Sequence, residues 1–174
     1  MQAVELLVRL KIPDVTALTA AGALRRRMGY GQVLRSLKRA DYYRLELAAA
    51  KGEEALALAK ELAEKTNLFV NPNKHVYELR AGTHDAPPSE QTQVVQVLVT
   101  DPTDGSAEGA LTALQGRLGY DDRVQGLLKG VLWTLELGCD TREEARGLAE
   151  QMAVTTARDR GLLLNPHFQE CEIW

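Results

Sequence analysis

The chain consists of two diverged copies of one sequence, and this repeat constrains the fold more than any other feature. When the sequence is shifted by 90 positions, residues 4–66 align without a gap onto residues 94–156, with 20 identities in 63 pairs. Farther on, the second copy has four additional residues, so that Asn71-Pro72 corresponds to Asn165-Pro166. A repeat of this length is a whole supersecondary unit. We therefore predict a first repeat (1–80), a linker (81–93) and a second repeat (94–174).

The first half of each repeat has the pattern of a strand followed by a helix. A strand rich in Val and Leu is predicted at Val4–Leu10 and at Val94–Thr100. The helix that follows has apolar residues at spacings of three and four. These residues are Leu18, Ala21, Leu24 and Met28 in the first copy and Ala107, Leu111, Leu114 and Leu118 in the second. Ser106 is the predicted N-cap of the second-copy helix, and Gly29 and Gly119 are predicted to be left-handed residues at the helix ends.

The second half of each repeat predicts two more strands and another helix. A short strand near Val33–Leu37 is followed by a turn and by an alternating strand. One face of this last strand carries Tyr43, Leu45 and Leu47, or Trp133, Leu135 and Leu137 in the second copy. The second helix is predicted at about Glu53–Lys65, with Ala55, Leu58, Ala59 and Leu62 on its apolar face, and its counterpart starts with a capping box at Thr141. A final strand is predicted at Val76–Arg80 and at Glu170–Trp174.

This element order defines the fold class. Each repeat reads βαββαβ, so we predict an α+β protein of two ferredoxin-like units, with antiparallel sheets and helices on one face. A unit of about 80 residues has a limited core of its own. We therefore expect the two copies to share an interface.

Composition and charge exclude several classes of protein. The net charge is −3 and the pI about 5.7, which argues against a nucleic-acid partner. No run of apolar residues is long enough for a membrane span, and the first residues do not form a secretory signal. The two cysteines, Cys139 and Cys171, lack metal-ligand spacing, and we expect a cytoplasmic protein with free thiols. The run Arg25–Arg27 predicts a solvated helix face, with an anionic partner or ligand as the alternative.

Catalytic and cofactor-binding motifs are missing from the sequence. It has neither a P-loop nor a dinucleotide-binding glycine pattern, and its three histidines do not cluster with other ligand residues. The third strand lacks the basic, aromatic pattern of an RNA-recognition module. We therefore predict no catalytic, cofactor-binding or metal-binding residues, and no enzymatic activity of the chain by itself.

The short motifs of the two copies resemble those of the PurS family. The second copy has an Asp-Pro…Gly turn, a Gly-Tyr helix end, a Lys-Gly hairpin, a Leu-Glu-Leu strand and an Asn-Pro ending. The first copy keeps the Gly-Tyr, Leu-Glu-Leu and Asn-Pro motifs. The motif residues, which are our candidates for family-type interfaces, are Gly29, Tyr30, Asn71, Pro72, Asp101, Pro102, Gly105, Gly119, Tyr120, Lys129, Gly130, Asn165 and Pro166. In the first copy Lys11–Asp14 replaces the Asp-Pro…Gly turn, and the hairpin glycine is missing at Arg39–Asp41.

The resemblance implies a function without catalysis by the chain itself. PurS proteins are small subunits that pair and bridge a PurQ-type glutaminase to a PurL-type synthetase in phosphoribosylformylglycinamidine synthase. The complex transfers ammonia from glutamine to its substrate in purine biosynthesis, and ATP and Mg are expected on the synthetase partner. By this resemblance the chain is a tandem PurS pair, with further self-association left open. The alternative is a stand-alone ligand-binding regulatory module of ferredoxin-like fold, with its pocket between the copies.

Overall fold

The computed structural model describes residues 1–81 and 92–174, and both repeats have the same order of elements. The first repeat comprises β1 (Gln2–Leu10), α1 (Val15–Arg26), β2 (Leu34–Leu47), α2 (Gly52–Lys65) and β3 (His75–Ala81). The second comprises β4 (Gln93–Thr100), α3 (Ser106–Thr112), β5 (Val124–Leu137), α4 (Arg142–Ala153) and β6 (Glu170–Ile173). A 3-10 turn, Tyr30–Gln32, follows α1, and a π-helical turn, Ala113–Arg117, continues α3. The predicted α+β class is confirmed.

The middle strand of each repeat is one long strand, not two strands joined by a turn. β2 and β5 each run for 14 residues without interruption. The predicted turn at Arg39–Asp41 and the predicted hairpin at Lys129-Gly130 are therefore wrong. Ala40, at the predicted turn, is a buried strand residue. No turn is needed because each half of the strand has its own partner strands.

The strands are hydrogen-bonded in the order β3-β1-β2-β5-β4-β6. The pairing of β2 with β5 is antiparallel, as two flanking hydrogen bonds show. The Ala48 amide donates to the Arg123 carbonyl at 2.9 Å, and the Gly138 amide donates to the Val33 carbonyl at 2.8 Å. The end of β2 therefore lies beside the start of β5, and the start of β2 lies beside the end of β5.

The chain forms two compact units, and each of them draws segments from both repeats. Unit 1 contains residues 1–12, 40–83 and 103–130, and unit 2 contains residues 13–39, 84–102 and 131–174. The boundaries at 39/40 and 130/131 fall inside β2 and β5, so the halves of each long strand belong to different units. The predicted division into repeats 1–80 and 94–174 stays a prediction about the sequence, and most of the linker 81–93 lies outside the described residues.

Unit 1 is a ferredoxin-like unit in which the first helix and one strand segment come from the second repeat. Its core face is formed by β1, the second half of β2 and α2, with α3 and the start of β5 added. Leu114 and Val124, both from the second repeat, are fully buried in this core. Burying one such side chain contributes roughly 1.5–3 kcal/mol. The first repeat therefore depends on the second for part of its core.

Unit 2 is built in the same way with the roles of the repeats exchanged. β4, the second half of β5 and α4 supply most of the core. The first repeat adds α1 and the start of β2, burying Leu24 and Leu34 among the residues of the second. Trp133, Leu135 and Leu137 share the core face as predicted.

The first strands of the two repeats correspond with an offset of 91 residues, not the 90 of the ungapped alignment. The core-facing residues are Val4, Leu6 and Val8 in β1 and Val95, Val97 and Val99 in β4. Val4 pairs with Leu45, and Val95 pairs with Leu135. A shift of one residue moves every side chain to the other face of a strand. The first copy therefore has one more residue in the loop between its first strand and its helix.

The helix predictions are confirmed except at three positions, one of which is Leu118, predicted on the apolar stripe but 38% exposed. Ala55, Leu58, Ala59 and Leu62 are buried on α2, and Thr141 caps α4 by accepting a hydrogen bond from the Glu144 amide at 3.1 Å. Leu18, predicted to face the core, is 62% exposed, because Ala17, Ala20, Ala21 and Leu24 form the buried stripe. The N-cap of α3 is Gly105 instead of Ser106. No helix within the described ranges is long and apolar enough to cross a membrane.

Candidate functional site

The Gly-Tyr motif of the second repeat anchors that repeat to α2 of the first within unit 1. Gly119 has a φ of 74°, which confirms the predicted left-handed position and turns the chain out of the π-helical turn. The Tyr120 hydroxyl then donates to a Glu61 carboxylate oxygen at 3.0 Å. Arg123 lies 3.4 Å from the other oxygen of Glu61 and 5.4 Å from the centre of the Tyr120 ring.

The electrostatics of this three-residue group follow from these contacts. The hydrogen bond from Tyr120, assisted by Arg123, lowers the pKa of Glu61 below its usual range. Desolvation, followed by the hydrogen bond to Glu61, raises the pKa of Tyr120. The arrangement therefore favours a charged carboxylate held by a neutral phenol and a guanidinium. It has the character of a structural clamp between segments of the two repeats.

The Gly-Tyr motif of the first repeat has the same backbone but lacks the clamp. Gly29 has a φ of 83°, again as predicted, and Tyr30 packs against the core of unit 2. By the 90-residue offset, Glu61 corresponds to Gln151 and Arg123 corresponds to Val33. In the described part of the chain, the Tyr30 hydroxyl makes no hydrogen bond. The two copies have therefore diverged at this position.

The Asn-Pro motifs form the same turn before the last strand of each repeat. In unit 1 the Asn71 side chain accepts from the Asn73 amide at 3.0 Å, and the Asn71 amide donates to His75 Nδ1 at 3.1 Å. In unit 2 the Asn165 side chain accepts from the His167 amide at 3.1 Å, and the Asn165 amide donates to Gln169 Oε1 at 2.9 Å. Pro72 and Pro166 lie inside these turns. Such Asn turns are satisfied locally, which explains the motif by backbone geometry.

The Asp-Pro…Gly motif is divided at the boundary of the units. Asp101 and Pro102 follow β4 in unit 2, whereas Gly105 precedes α3 in unit 1. Beside Gly105, the Asp104 carboxylate accepts from the Ser106 amide at 2.9 Å.

Lys129, in the middle of β5, also contacts the start of α3. Its Nζ lies 2.7 Å from Ser106 Oγ and 3.3 Å from an Asp104 oxygen. The hydrogen bonds from Ser106 and then from Lys129 lower the pKa of Asp104. Lys129 thus ties β5 to the start of α3, and Gly130 follows it as an extended strand residue at the edge of unit 1. Whether any motif residue meets a partner stays a prediction.

A groove on unit 2 was not predicted from the sequence. It has a volume of about 600 Å³, and it lies beside α4, the Gly29-Tyr30 turn and a turn at 155–161 that includes the additional residues of the second copy. Its lining residues are Arg27, Met28, Tyr30, Gly147, Glu150, Gln151, Val154, Thr156, Asp159 and Arg160. Two sequence signals point to it: the run Arg25–Arg27 and the insertion.

The arginine run is divided between structural and exposed roles. Arg25 donates from Nε to the Leu34 carbonyl at 3.0 Å and from a terminal nitrogen to the Arg35 carbonyl, so it fastens α1 to β2. Arg26 is exposed, and Arg27 faces the groove. Among the residues that the structure describes, no three His, Cys, Asp or Glu side chains are grouped so as to hold a metal ion.

The fold and these motifs define an α+β protein of two ferredoxin-like units, each of which contains segments of both repeats. The model of the PurS family, phosphoribosylformylglycinamidine (FGAM) synthase, matches residues 3–82. This match identifies residues 3–82 as a PurS-like segment, and it supports a role in FGAM synthase, a ligase complex of purine biosynthesis. No curated protein and no solved structure gave a significant match.

The match falls on the first repeat, although the second keeps more of the family motifs. The Gly-Tyr and Asn-Pro motifs of the first repeat lie within the matched residues. The resemblance to the PurS family is therefore confirmed, and the second repeat as another PurS unit stays a prediction.

Proposed function

We propose that the chain is a non-catalytic bridging subunit of FGAM synthase. In this proposal it joins a PurQ-type glutaminase to a PurL-type synthetase and assists the transfer of ammonia from one to the other. ATP and Mg belong to the synthetase, and the chain itself holds no cofactor. In this proposal the chain acts in the cytoplasm.

The observation that carries the proposal is the family match combined with two cores that each contain residues of both repeats. Each core needs segments of both repeats, so one tandem chain supplies two complete ferredoxin-like units. Two separate PurS-type chains would supply the same number of units only after association. A covalent linker replaces that step with an effective concentration of about a millimolar. Divergence of the copies then allows each unit to recognise a different partner.

The test is reconstitution with purified PurL-type and PurQ-type subunits. We expect the tandem chain to co-purify with both, and light scattering to give one tandem chain per synthetase. Two tandem chains per synthetase would mean that half of each chain is unused, which contradicts the fused-pair proposal. Failure to bind either subunit would contradict the bridging function itself.

A regulatory ligand-binding module is the second candidate, and the groove on unit 2 favours it. Such a module would bind a small molecule in the absence of the other subunits. Ligand binding without binding to either subunit would favour the regulatory module, whereas binding to both subunits favours the bridging function whether or not a ligand binds.

A further inference from the structure

The groove beside α4 has the size and the chemistry of a small-molecule site. Its volume of about 600 Å³ lies within the range of ligand pockets, roughly 300–1,000 Å³. All residues that line it belong to unit 2. We refer to it as the α4 groove.

The α4 groove occupies the position that is closed by the clamp in unit 1. There, Tyr120, Glu61 and Arg123 hold one another. In unit 2 the corresponding Tyr30 faces Gln151, and the third position is Val33. Loss of the clamp leaves the hydroxyl available, while the inserted turn adds a second wall.

The cationic groups of the α4 groove have no partner within the described residues. The side chains of Arg27 and Arg160 make neither a hydrogen bond nor an ion pair there. Guanidinium groups present forked donors that match phosphate oxygens. The Tyr30 hydroxyl adds another donor at the same groove.

The remaining lining residues restrict the kind of anion. Glu150 and Asp159 also line the groove and would repel a bare anion, but their oxygens can accept hydrogen bonds from hydroxyl groups. Met28 and Val154 supply apolar surface. The combination suits a molecule in which phosphate, hydroxyl groups and an apolar part occur together.

The inserted turn holds its part of the wall in a defined position. The Thr156 amide donates to the Arg160 carbonyl at 2.9 Å, and the Thr155 amide donates to the Leu164 carbonyl at 3.1 Å. Gly161 follows with a φ of 75°. A turn fixed in this way reduces the ordering needed when a ligand binds.

We propose that the α4 groove binds a small phosphate-bearing ligand of the sugar-phosphate or nucleotide class. Arg27 and Arg160 bind the phosphate, the carboxylates accept from sugar hydroxyls, and Tyr30 donates through its hydroxyl. This inference does not rest on the bridging function, because the site is formed by the chain alone.

Isothermal titration calorimetry on the full chain tests the site. The probes are adenosine 5′-monophosphate, ribose 5-phosphate, inorganic phosphate and adenosine. We expect saturable binding of one or both phosphate esters, weaker binding of inorganic phosphate and none of adenosine. The two esters distinguish a nucleotide site from a sugar-phosphate site.

Matched variants locate the binding. Arg27→Gln and Arg160→Gln should each weaken binding by about tenfold or more, as expected for a hydrogen bond to a charged group. Arg158→Gln, in the same turn but outside the lining, should leave affinity unchanged. Tyr30→Phe should weaken binding without unfolding the chain, which melting curves of all variants will check.

The proposal would be overturned if neither ester bound. It would also be overturned if the Arg27→Gln and Arg160→Gln variants bound the esters as tightly as the unmodified chain. Inorganic phosphate binding as tightly as the esters would overturn the ligand class.

Discussion

A substitution at Gly161 tests whether the inserted turn is held as rigidly as the structure indicates. Gly161 has a φ of 75°, and a Cβ atom there would lie 1.7 Å from the Val154 carbonyl oxygen. Gly119 is the matched control, since its φ is 74° but no atom lies within 4 Å of the Cβ position. A side chain at either site has to adopt a left-handed backbone conformation. Only at Gly161 does the added Cβ atom also collide with backbone atoms.

The expected loss of folding free energy is the cost of the left-handed conformation plus, at Gly161, the cost of the collision. A left-handed conformation costs a non-glycine residue about 1–2 kcal/mol, which is the whole effect expected for Gly119→Ala. At Gly161 the turn must shift, which breaks the Thr155–Leu164 and Thr156–Arg160 backbone bonds. Each lost bond adds about 0.5–1.5 kcal/mol. We expect a total of roughly 2–5 kcal/mol for Gly161→Ala, with a limit set by local unfolding of the turn.

Urea denaturation followed by circular dichroism measures both variants. At about 2–4 °C per kcal/mol for a chain of this size, melting temperatures should also separate them. Equal destabilisation by the two substitutions would show that the collision at Gly161 is absent, and the turn would then be looser than described.

Three further predictions concern the clamp, the acidic turn and the activity of the chain. Tyr120→Phe should lower the free energy of unfolding by about 0.5–1.5 kcal/mol in urea titrations, whereas Tyr30→Phe should leave it unchanged because that hydroxyl has no partner among the described residues. The pKa of Asp104 is lowered in the folded chain. The stability that its carboxylate contributes is therefore complete above the unfolded-state pKa, near 3.8, and is lost as the pH falls through the lower pKa of the folded state. Asp104→Asn should therefore flatten the fall in stability below about pH 4 in acid titrations, and an unchanged slope would contradict this. The purified chain should hydrolyse neither glutamine nor ATP above a mock preparation, and activity that follows the protein through purification would refute the non-catalytic role.

The order of elements could be predicted because it depends on local chemistry. The apolar stripe of α2, the Thr141 cap and the left-handed glycines all depend on residues within one or two turns of one another. The motif turns at Asn71 and Asn165 likewise close on themselves. Such features are encoded in a few consecutive residues, so pattern and propensity are enough to find them.

The pairing of segments could not be predicted because it depends on distant contacts. A turn near Ala40 would be necessary if each repeat folded on itself, but β2 continues through this position because its two halves belong to different units. The one-residue shift of β1 against β4 is likewise invisible to an ungapped alignment. The α4 groove depends on Tyr30 and Arg160, which lie far apart in the sequence and come together only through exchanged segments.

Separating the two repeats should convert folding into a bimolecular reaction. Leu114 and Val124 of the second repeat are fully buried in unit 1, and Leu24 of the first is fully buried in unit 2. Neither fragment, 1–81 or 92–174, can therefore complete a core alone. We expect each fragment to lack a cooperative melting transition, and an equimolar mixture to recover one.

The loss of the linker also determines how much stability the fragment mixture loses. With an effective concentration of about a millimolar in the intact chain, fragments at about 10 µM should be less stable by about 2.7 kcal/mol. The mixture, unlike the intact chain, should melt at a lower temperature after dilution. The same comparison can be made by cleaving the intact protein at Pro87-Pro88, which lies outside the described residues.

If fragment 1–81 melted cooperatively at the temperature of the intact chain, the first repeat would have a complete core of its own. The exchange of α3 and α1 between the units would then contribute nothing to stability, and the tandem arrangement would need another explanation.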